Sequence, residues 1–198
     1  MALSTYTELK AAIADLANRN DLTTQIVDAI TLAEAEMQAD CKLLEFEALS
    51  TVTITSGSGT LPTGFLGARS VYWDGSPDYP LTYVTPDRFD YLRANDSGDG
   101  YFYTITGSTI KTVPMGSGSV VMTATIRFSA LSGSVASNAI LANFPNAYLY
   151  GALKHLAIVM DDDAKLAKFG TLFNAEKERI RKNDEDRRFA GALTVRAR

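Results

Sequence analysis

The sequence of 198 residues has few of the residue types on which most enzyme chemistry depends. It contains one cysteine, Cys41, and one histidine, His155. A single cysteine cannot form an intramolecular disulfide, and a single histidine excludes a zinc site built on several histidines. A Ser-His-Asp or Cys-His nucleophile would have to use His155. Composition therefore argues against most familiar hydrolases and metalloenzymes.

Long hydrophobic runs and targeting patterns are also missing. The most apolar stretch, residues 152–160, is interrupted by Lys154 and His155. It is far shorter than the roughly 20 residues of a membrane span. The first residues, MALST, show neither the basic nor the apolar region of a secretory signal. We expect a globular protein that is made and folds in a cytosol.

The charge is unevenly distributed along the chain. The formal net charge of −4 disfavours a general nucleic-acid binder. Residues 187–198 contain four arginines and no acid, which leaves −8 for residues 1–186 once +4 is subtracted from −4. The sequence thus predicts an acidic body with a short basic tail.

Two helices are predicted at the N-terminus. Thr5-Tyr6-Thr7-Glu8 is a capping box, and apolar residues follow it at helical spacing. Asp21 is placed to cap the second helix. One face of that helix is predicted to carry Ile26, Ile30, Met37, Cys41 and Leu44, and the opposite face Asp28, Glu34 and Gln38.

The middle of the chain has the alternation and the turns of an antiparallel β region. Thr85-Pro86 opens a short helix among the strands. Gly57-Ser58-Gly59 and Gly116-Ser117-Gly118 are interpreted as hairpin turns, because neither is followed by the Gly-Lys-Ser/Thr of a phosphate-binding loop. The predicted strands are residues 51–55, 68–73, 79–84, 101–106, 109–113 and 120–128.

Helices return after a loop over residues 129–138. One helix opens at Pro145, and a last, mostly charged helix runs from about residue 164 to 185. Between them, Asp161-Asp162-Asp163 is read as a helix corner with one capping aspartate. Lys165 and Leu166 stand where a calcium loop needs an oxygen ligand and a glycine.

The predicted fold class is α+β. An N-terminal helical hairpin packs with C-terminal helices, a central antiparallel β subdomain lies between them, and an extended tail ends the chain. The predicted segments of this single domain are residues 1–46, 47–130, 131–186 and 187–198.

The remaining candidate residues favour structural roles. His155 is interpreted as a structural histidine and Cys41 as a small buried hydrophobe. No cofactor or metal is expected. Aromatic residues on the strands either line a sugar-binding surface or belong to the core and a subunit interface, and we favour the second interpretation. These aromatics are Tyr72, Trp73, Tyr79 and Tyr83.

The basic tail has three interpretations: a solvated end, a nucleic-acid contact, or a segment that docks onto an acidic partner. Phe189, Leu193 and Val195 are interleaved with its arginines. Solvating tails seldom carry such apolar anchors, which favours docking.

Read along its whole length, the chain resembles the head-to-tail adaptor (connector) proteins of tailed bacteriophages. The resemblance starts with LSTYTELK at residue 3 and includes NRNDL at residue 18 and LAEAE at residue 32. It continues with LPTGFL at residue 61, where Gly64 replaces the family's usual acid, and PLTYVTP at residue 80. The strongest match is FPNAYLYGAL at residue 144, followed by the acidic corner and the charged last helix.

This resemblance implies a structural virion protein without catalytic activity. Such proteins form a ring, usually of twelve copies, under the portal of the filled head. The ring conducts double-stranded DNA without reading it and contacts portal, tail or nozzle proteins, and no membrane. A carbohydrate-binding protein that uses the aromatic strands is the alternative. The implied portal-binding residues are Arg187, Arg188, Phe189, Leu193, Val195, Arg196 and Arg198.

Overall fold

The computed structural model describes residues 3–40, 46–75, 77–95 and 101–188. The chain divides into two compact units. The helical unit comprises Met1–Leu44 and Phe128–Arg198, and the β unit comprises Glu45–Arg127. N-terminal helices pack with C-terminal helices, and the central strands form largely antiparallel sheets, which confirms the predicted α+β class.

The described residues form six helices and eight strands. The helices are α1 (Tyr6–Ala17), α2 (Thr23–Asp40), α3 (Pro86–Asn95), α4 (Ala139–Asn143), α5 (Pro145–Val159) and α6 (Asp163–Arg188). The strands are β1 (Glu47–Ile54), β2 (Ser58–Thr60), β3 (Phe65–Trp73), β4 (Tyr79–Pro80), β5 (Thr82–Tyr83), β6 (Phe102–Thr106), β7 (Thr109–Val113) and β8 (Gly118–Ile126).

The N-terminal helices begin largely as the sequence predicts. The Thr5 hydroxyl accepts a hydrogen bond from the Glu8 amide at 3.3 Å, and the Glu8 carboxylate accepts one from the Thr5 amide at 3.1 Å. This is the predicted capping box. The prediction that Asp21 caps α2 is wrong. Both oxygens of Asp21 instead accept hydrogen bonds from the Arg19 guanidinium, each at 2.7 Å.

Helix α5 lies at the centre of the helical unit, where it contacts α1, α2 and α6. Gly151 allows this close packing. A Cβ at that position would lie 2.9 Å from both Ala33 Cβ and the Phe173 ring, so any larger residue would push the helices apart. On α2, the predicted face is buried at Ile26, Ile30 and Met37, while Cys41 and Leu44 lie outside the described residues.

The β unit consists of two four-stranded sheets, in the orders β1-β8-β3-β4 and β2-β7-β6-β5. Both sheets contribute alternate side chains to one apolar core, as the period-two pattern predicts. The buried core residues are Val52, Ile54, Leu61, Val71, Leu81, Tyr103, Ile110, Val120, Met122 and Ala124.

Residues 79–84 form two short strands rather than the single predicted one. The chain crosses between the sheets at Leu81, whose amide donates to the Val71 carbonyl, while the Thr82 amide donates to the Tyr101 carbonyl. Strand β5 pairs with β6 in parallel, so the prediction of purely antiparallel pairing is wrong here. Parallel strands need a crossover connection, and α3 provides it.

Strand β2 is not predicted by the sequence, because its three residues lie in a glycine-rich segment that is interpreted as a turn.

The C-terminal helices also differ in two respects from the prediction. Helix α4 was not predicted; it begins after Asn138, whose side chain accepts from the Leu141 amide. Helix α6 continues to Arg188, so the placement of Arg187 and Arg188 in an extended tail is wrong. Arginine and glutamate are good helix formers, and no glycine or proline interrupts this part of the chain before Gly191.

Candidate functional site

The predicted portal-binding residues are only partly described. Arg187 and Arg188 form the end of α6. Phe189, Leu193, Val195, Arg196 and Arg198 lie outside the described residues. Their role in binding therefore remains a prediction.

Sequence reasoning missed a buried carboxylate in the helical unit. Glu34 was assigned to the polar face of α2, but it is buried. One of its oxygens accepts hydrogen bonds from the Leu131 amide at 2.8 Å and from the Tyr148 hydroxyl at 2.9 Å. Burial raises the pKa of Glu34 above its ordinary value, although both hydrogen bonds oppose this rise. The helical spacing indicates this burial, because Glu34 lies four residues after Ile30 and three residues before Met37, and both of those side chains are buried.

Asn138 extends this network to the loop before α4. Its side-chain amide donates to the Tyr148 hydroxyl at 2.7 Å and to the Ser129 carbonyl at 2.9 Å. Burial raises the pKa of Tyr148, so the phenol stays protonated and can donate to Glu34. The network therefore holds the loop over residues 129–138 against α2 and α5.

A second polar cluster joins α2, α5 and α6 around Glu36. Its carboxylate accepts hydrogen bonds from Lys154 at 2.7 Å and Lys177 at 2.9 Å, and Lys177 also reaches Asp40 at 2.7 Å. Burial raises the pKa of Glu36, but the two lysines outweigh it and hold that pKa at about 2. Glu36 is thus ionised at neutral pH and ties three helices together.

His155 lies beside this cluster. Its Nε2 atom is 3.3 Å from a carboxylate oxygen of Glu36. Burial and the charge of Lys154 lower the pKa of His155, and Glu36 opposes them. The imidazole is therefore neutral at neutral pH and packs within a set of ion pairs. This environment suits the structural role that the sequence predicts for His155.

The acidic corner forms a helix cap. The Asp162 carboxylate accepts a hydrogen bond from the Lys165 amide at 2.9 Å, and α6 begins at the next residue. That bond and the Lys165 side chain lower the pKa of Asp162. Asp161, between α5 and α6, adopts a left-handed conformation with φ of 54°. The capping prediction is confirmed.

The strand aromatics divide into packed and exposed residues. Trp73 packs against the core of the β unit, and a Cβ at Gly118 would lie 2.7 Å from its ring. Tyr79 and Tyr83 are exposed. Tyr79 stacks on Tyr101 at a centroid distance of 4.8 Å, so one face of that ring is covered. This arrangement suits aromatic residues of a core and a subunit interface better than a flat aromatic surface that binds a sugar.

The described surface of each unit has an open cavity. A groove of about 510 Å³ runs between α1 and α2, and its lining is mostly apolar. A second cavity of about 470 Å³ lies on the β unit beside Arg127, Gly107 and Ser108. Among the described residues, no cluster of histidine, cysteine or carboxylate side chains could hold a metal ion. Nor is any described helix long and apolar enough to cross a membrane.

The polar clusters of the described chain thus stabilise helix packing, as expected of a structural protein. The chain belongs to the SU10 adaptor protein family, whose model matches residues 4–196. It is accordingly a phage adaptor protein, and the family indicates a structural role rather than a catalytic one. No protein of curated function matches the chain.

Proposed function

We propose that this protein is the head-to-tail adaptor of a phage virion. It forms a ring of twelve copies under the portal, joins the DNA-filled head to the tail and lets double-stranded DNA pass without reading its sequence. The family match carries this proposal, because it covers both units and extends into the basic tail as far as residue 196.

The charge distribution supports passage of DNA. Residues 1–186 carry a formal charge of −8. An acidic surface repels phosphate groups, whereas proteins that hold DNA neutralise phosphates with lysine and arginine. A ring built from this body would conduct DNA without retaining it.

The C-terminal tail is the proposed portal-binding element. Helix α6 extends about three turns beyond Lys177, whose ammonium lies 2.7 Å from an Asp40 carboxylate oxygen on α2. Arg187 and Arg188 end this helix, and the apolar anchors follow in the sequence. Exposed ion pairs contribute little affinity, about 0–1 kcal/mol each. The arginines should therefore set orientation and encounter rate, while Phe189 and Leu193 supply most of the binding energy.

The partners follow from this position in the neck between head and tail. They are the portal protein, neighbouring copies and tail or nozzle proteins. Assembly takes place in the cytoplasm of the bacterial host.

Truncation after Arg188 tests the role of the tail. This boundary keeps all of α6, so helix content by circular dichroism should match that of the full chain. The truncated protein should fail to co-sediment with portal-bearing heads, and those heads should leak DNA. Arg196→Gln with Arg198→Gln should give a milder, salt-sensitive loss, and Phe189→Ser with Leu193→Ser a stronger one.

Normal binding of the truncated protein would contradict the portal-binding role of the tail. Failure of the full chain to form rings, alone or with portal, together with glycan binding by a monomer, would instead favour the carbohydrate-binding alternative.

A further inference from the structure

Two apolar features of the helical unit have no partner among the described residues. The first, the α5 knob, consists of Ile158 and Val159, which end α5 and are each 58% exposed. The second, the α1–α2 groove, opens between the first two helices. The groove is lined by Lys10, Ala11, Ala14, Asn20, Thr23, Thr24, Ile26 and Val27.

The α5 knob is unusual because two large apolar residues are exposed side by side. Single exposed apolar side chains are common on protein surfaces, but contiguous apolar patches mark interaction sites. The residues just before the knob, Leu156 and Ala157, are fully buried. Val159 lies three residues after the buried Leu156, so helical spacing predicts that it is buried rather than exposed.

The α1–α2 groove has the shape and chemistry to receive branched apolar side chains. Ala11 and Ala14 are small, and they leave space on the α1 side. Ile26 and Val27 give the α2 side an apolar surface, with threonine and asparagine around it. Lys10 is the one charged residue among those that line the groove, and its ammonium lies 4.5 Å from the Tyr6 ring centroid.

Charge complements shape in this pair of features. Asp161 and Asp163 lie two and four residues after Val159, and both are exposed. Within one copy the knob and the groove do not meet, because neither knob residue lines the groove and both remain exposed. We propose that the α5 knob of one copy inserts into the α1–α2 groove of the next, with Lys10 facing Asp161 and Asp163.

Such a contact uses two different patches of the same surface. A contact of this kind is heterologous: each copy offers a free knob to one neighbour and a free groove to the other. It generates a ring when the rotation between copies closes, whereas an isologous contact stops at a dimer. The inference therefore rests on the proposed ring and names the surfaces that build it.

Cross-linking between mixed single-cysteine variants tests the contact. In a Cys41→Ser background, one population of the full chain carries Val159→Cys and the other Thr24→Cys, and both are incorporated into the same particles. A short bismaleimide should join the two variants into a dimer. Each variant alone should give no dimer, and a chain with both cysteines should give a ladder of multimers.

Leu32→Cys provides the matched control. Leu32 is 53% exposed on the same unit and does not line the groove, so its mixture with Val159→Cys should give no dimer. Ile158→Ser with Val159→Ser should weaken association between copies about tenfold or more. Leu32→Ser should leave association unchanged. Because these side chains are exposed, helix content should be unaffected in all variants.

The outcomes separate this contact from the ring itself. Rings seen by electron microscopy without the mixed cross-link would overturn the knob-in-groove contact and leave the proposed adaptor ring intact. Particles in which no ring of this protein is present would contradict both. Equal cross-linking by the Leu32→Cys control would also overturn the contact, because it would show that reaction does not depend on the groove.

Discussion

The two units achieve a unique structure by different means. The β unit has an apolar core to which both sheets contribute. The helical unit places two carboxylates of one helix, Glu34 and Glu36, in buried or half-buried contacts with other elements. A strand buries alternate residues, so the hydrophobic pattern fixes which face is buried and, together with the turns, sets the register. Apolar helix faces can slide or rotate against each other, and directional polar contacts remove that freedom.

This difference between the β unit and the helical unit can be tested, because a separate spectroscopic signal follows the unfolding of each unit. Trp73 is the only tryptophan of the sequence and lies in the β unit. Its fluorescence therefore follows unfolding of the β unit, while far-ultraviolet circular dichroism follows mainly the helices. Each substitution below should shift one transition more than the other.

The largest effect is expected in the apolar core of the β unit. Met122→Ala removes a side chain that is fully buried at the centre of β8 and should destabilise the β unit by about 3 kcal/mol through lost burial and a cavity. Urea unfolding followed by Trp73 fluorescence measures this loss. Met115→Ala, the same change at a residue that is 56% exposed, should cost less than about 0.5 kcal/mol. Equal losses in the two variants would show that Met122 is not part of a packed core.

A smaller effect is expected at Glu34. Glu34→Ala leaves the Leu131 amide and the Tyr148 hydroxyl without their acceptor and should destabilise the helical unit by about 2 kcal/mol. Circular dichroism during urea unfolding measures the loss. Tyr148→Phe completes a double-mutant cycle, in which the two losses should not add, because both variants break the same hydrogen bond. Simple additivity would mean that this bond contributes nothing.

Much of the fold could be predicted because local patterns specify it. The capping box at Thr5, the proline that opens α3 and the alternation of β8 each depend on neighbouring residues only. The burial of Glu34 follows its helical spacing and not its polarity, and the partners that satisfy its carboxylate are about a hundred residues away in the sequence. The parallel pairing of β5 depends on a crossover, which short strands do not reveal. Exposure of the α5 knob likewise depends on where the other helices end.

The Glu36 cluster should make the stability of the helical unit depend on pH. The pKa of Glu36 is lowered from 4.5 to about 2, so its contribution is complete above pH 4.5 and is lost as the pH falls through about 2. At neutral pH, Glu36→Gln should cost about 1.5 kcal/mol. The difference from wild type should shrink towards zero over this acid range. Asp28→Asn, an exposed change on the same helix, should cost less than about 0.5 kcal/mol at neutral pH, and a constant gap for Glu36→Gln would refute the ion-pair account.

The smallest effect distinguishes a helix cap from a metal site at the acidic corner. Asp162→Ala removes the acceptor for the Lys165 amide and should cost about 1 kcal/mol. Asp161→Asn keeps a residue type that tolerates the left-handed conformation and should change stability by less than 0.5 kcal/mol or so. Because capping needs no ion, EDTA should leave the melting temperature of the wild type unchanged, and calcium should not raise it. If EDTA instead lowered the melting temperature, calcium reversed that loss and Asp162→Ala no longer responded to either, the acidic corner would be a cation site rather than a helix cap. The stability of the helical unit would then depend on its ionic surroundings.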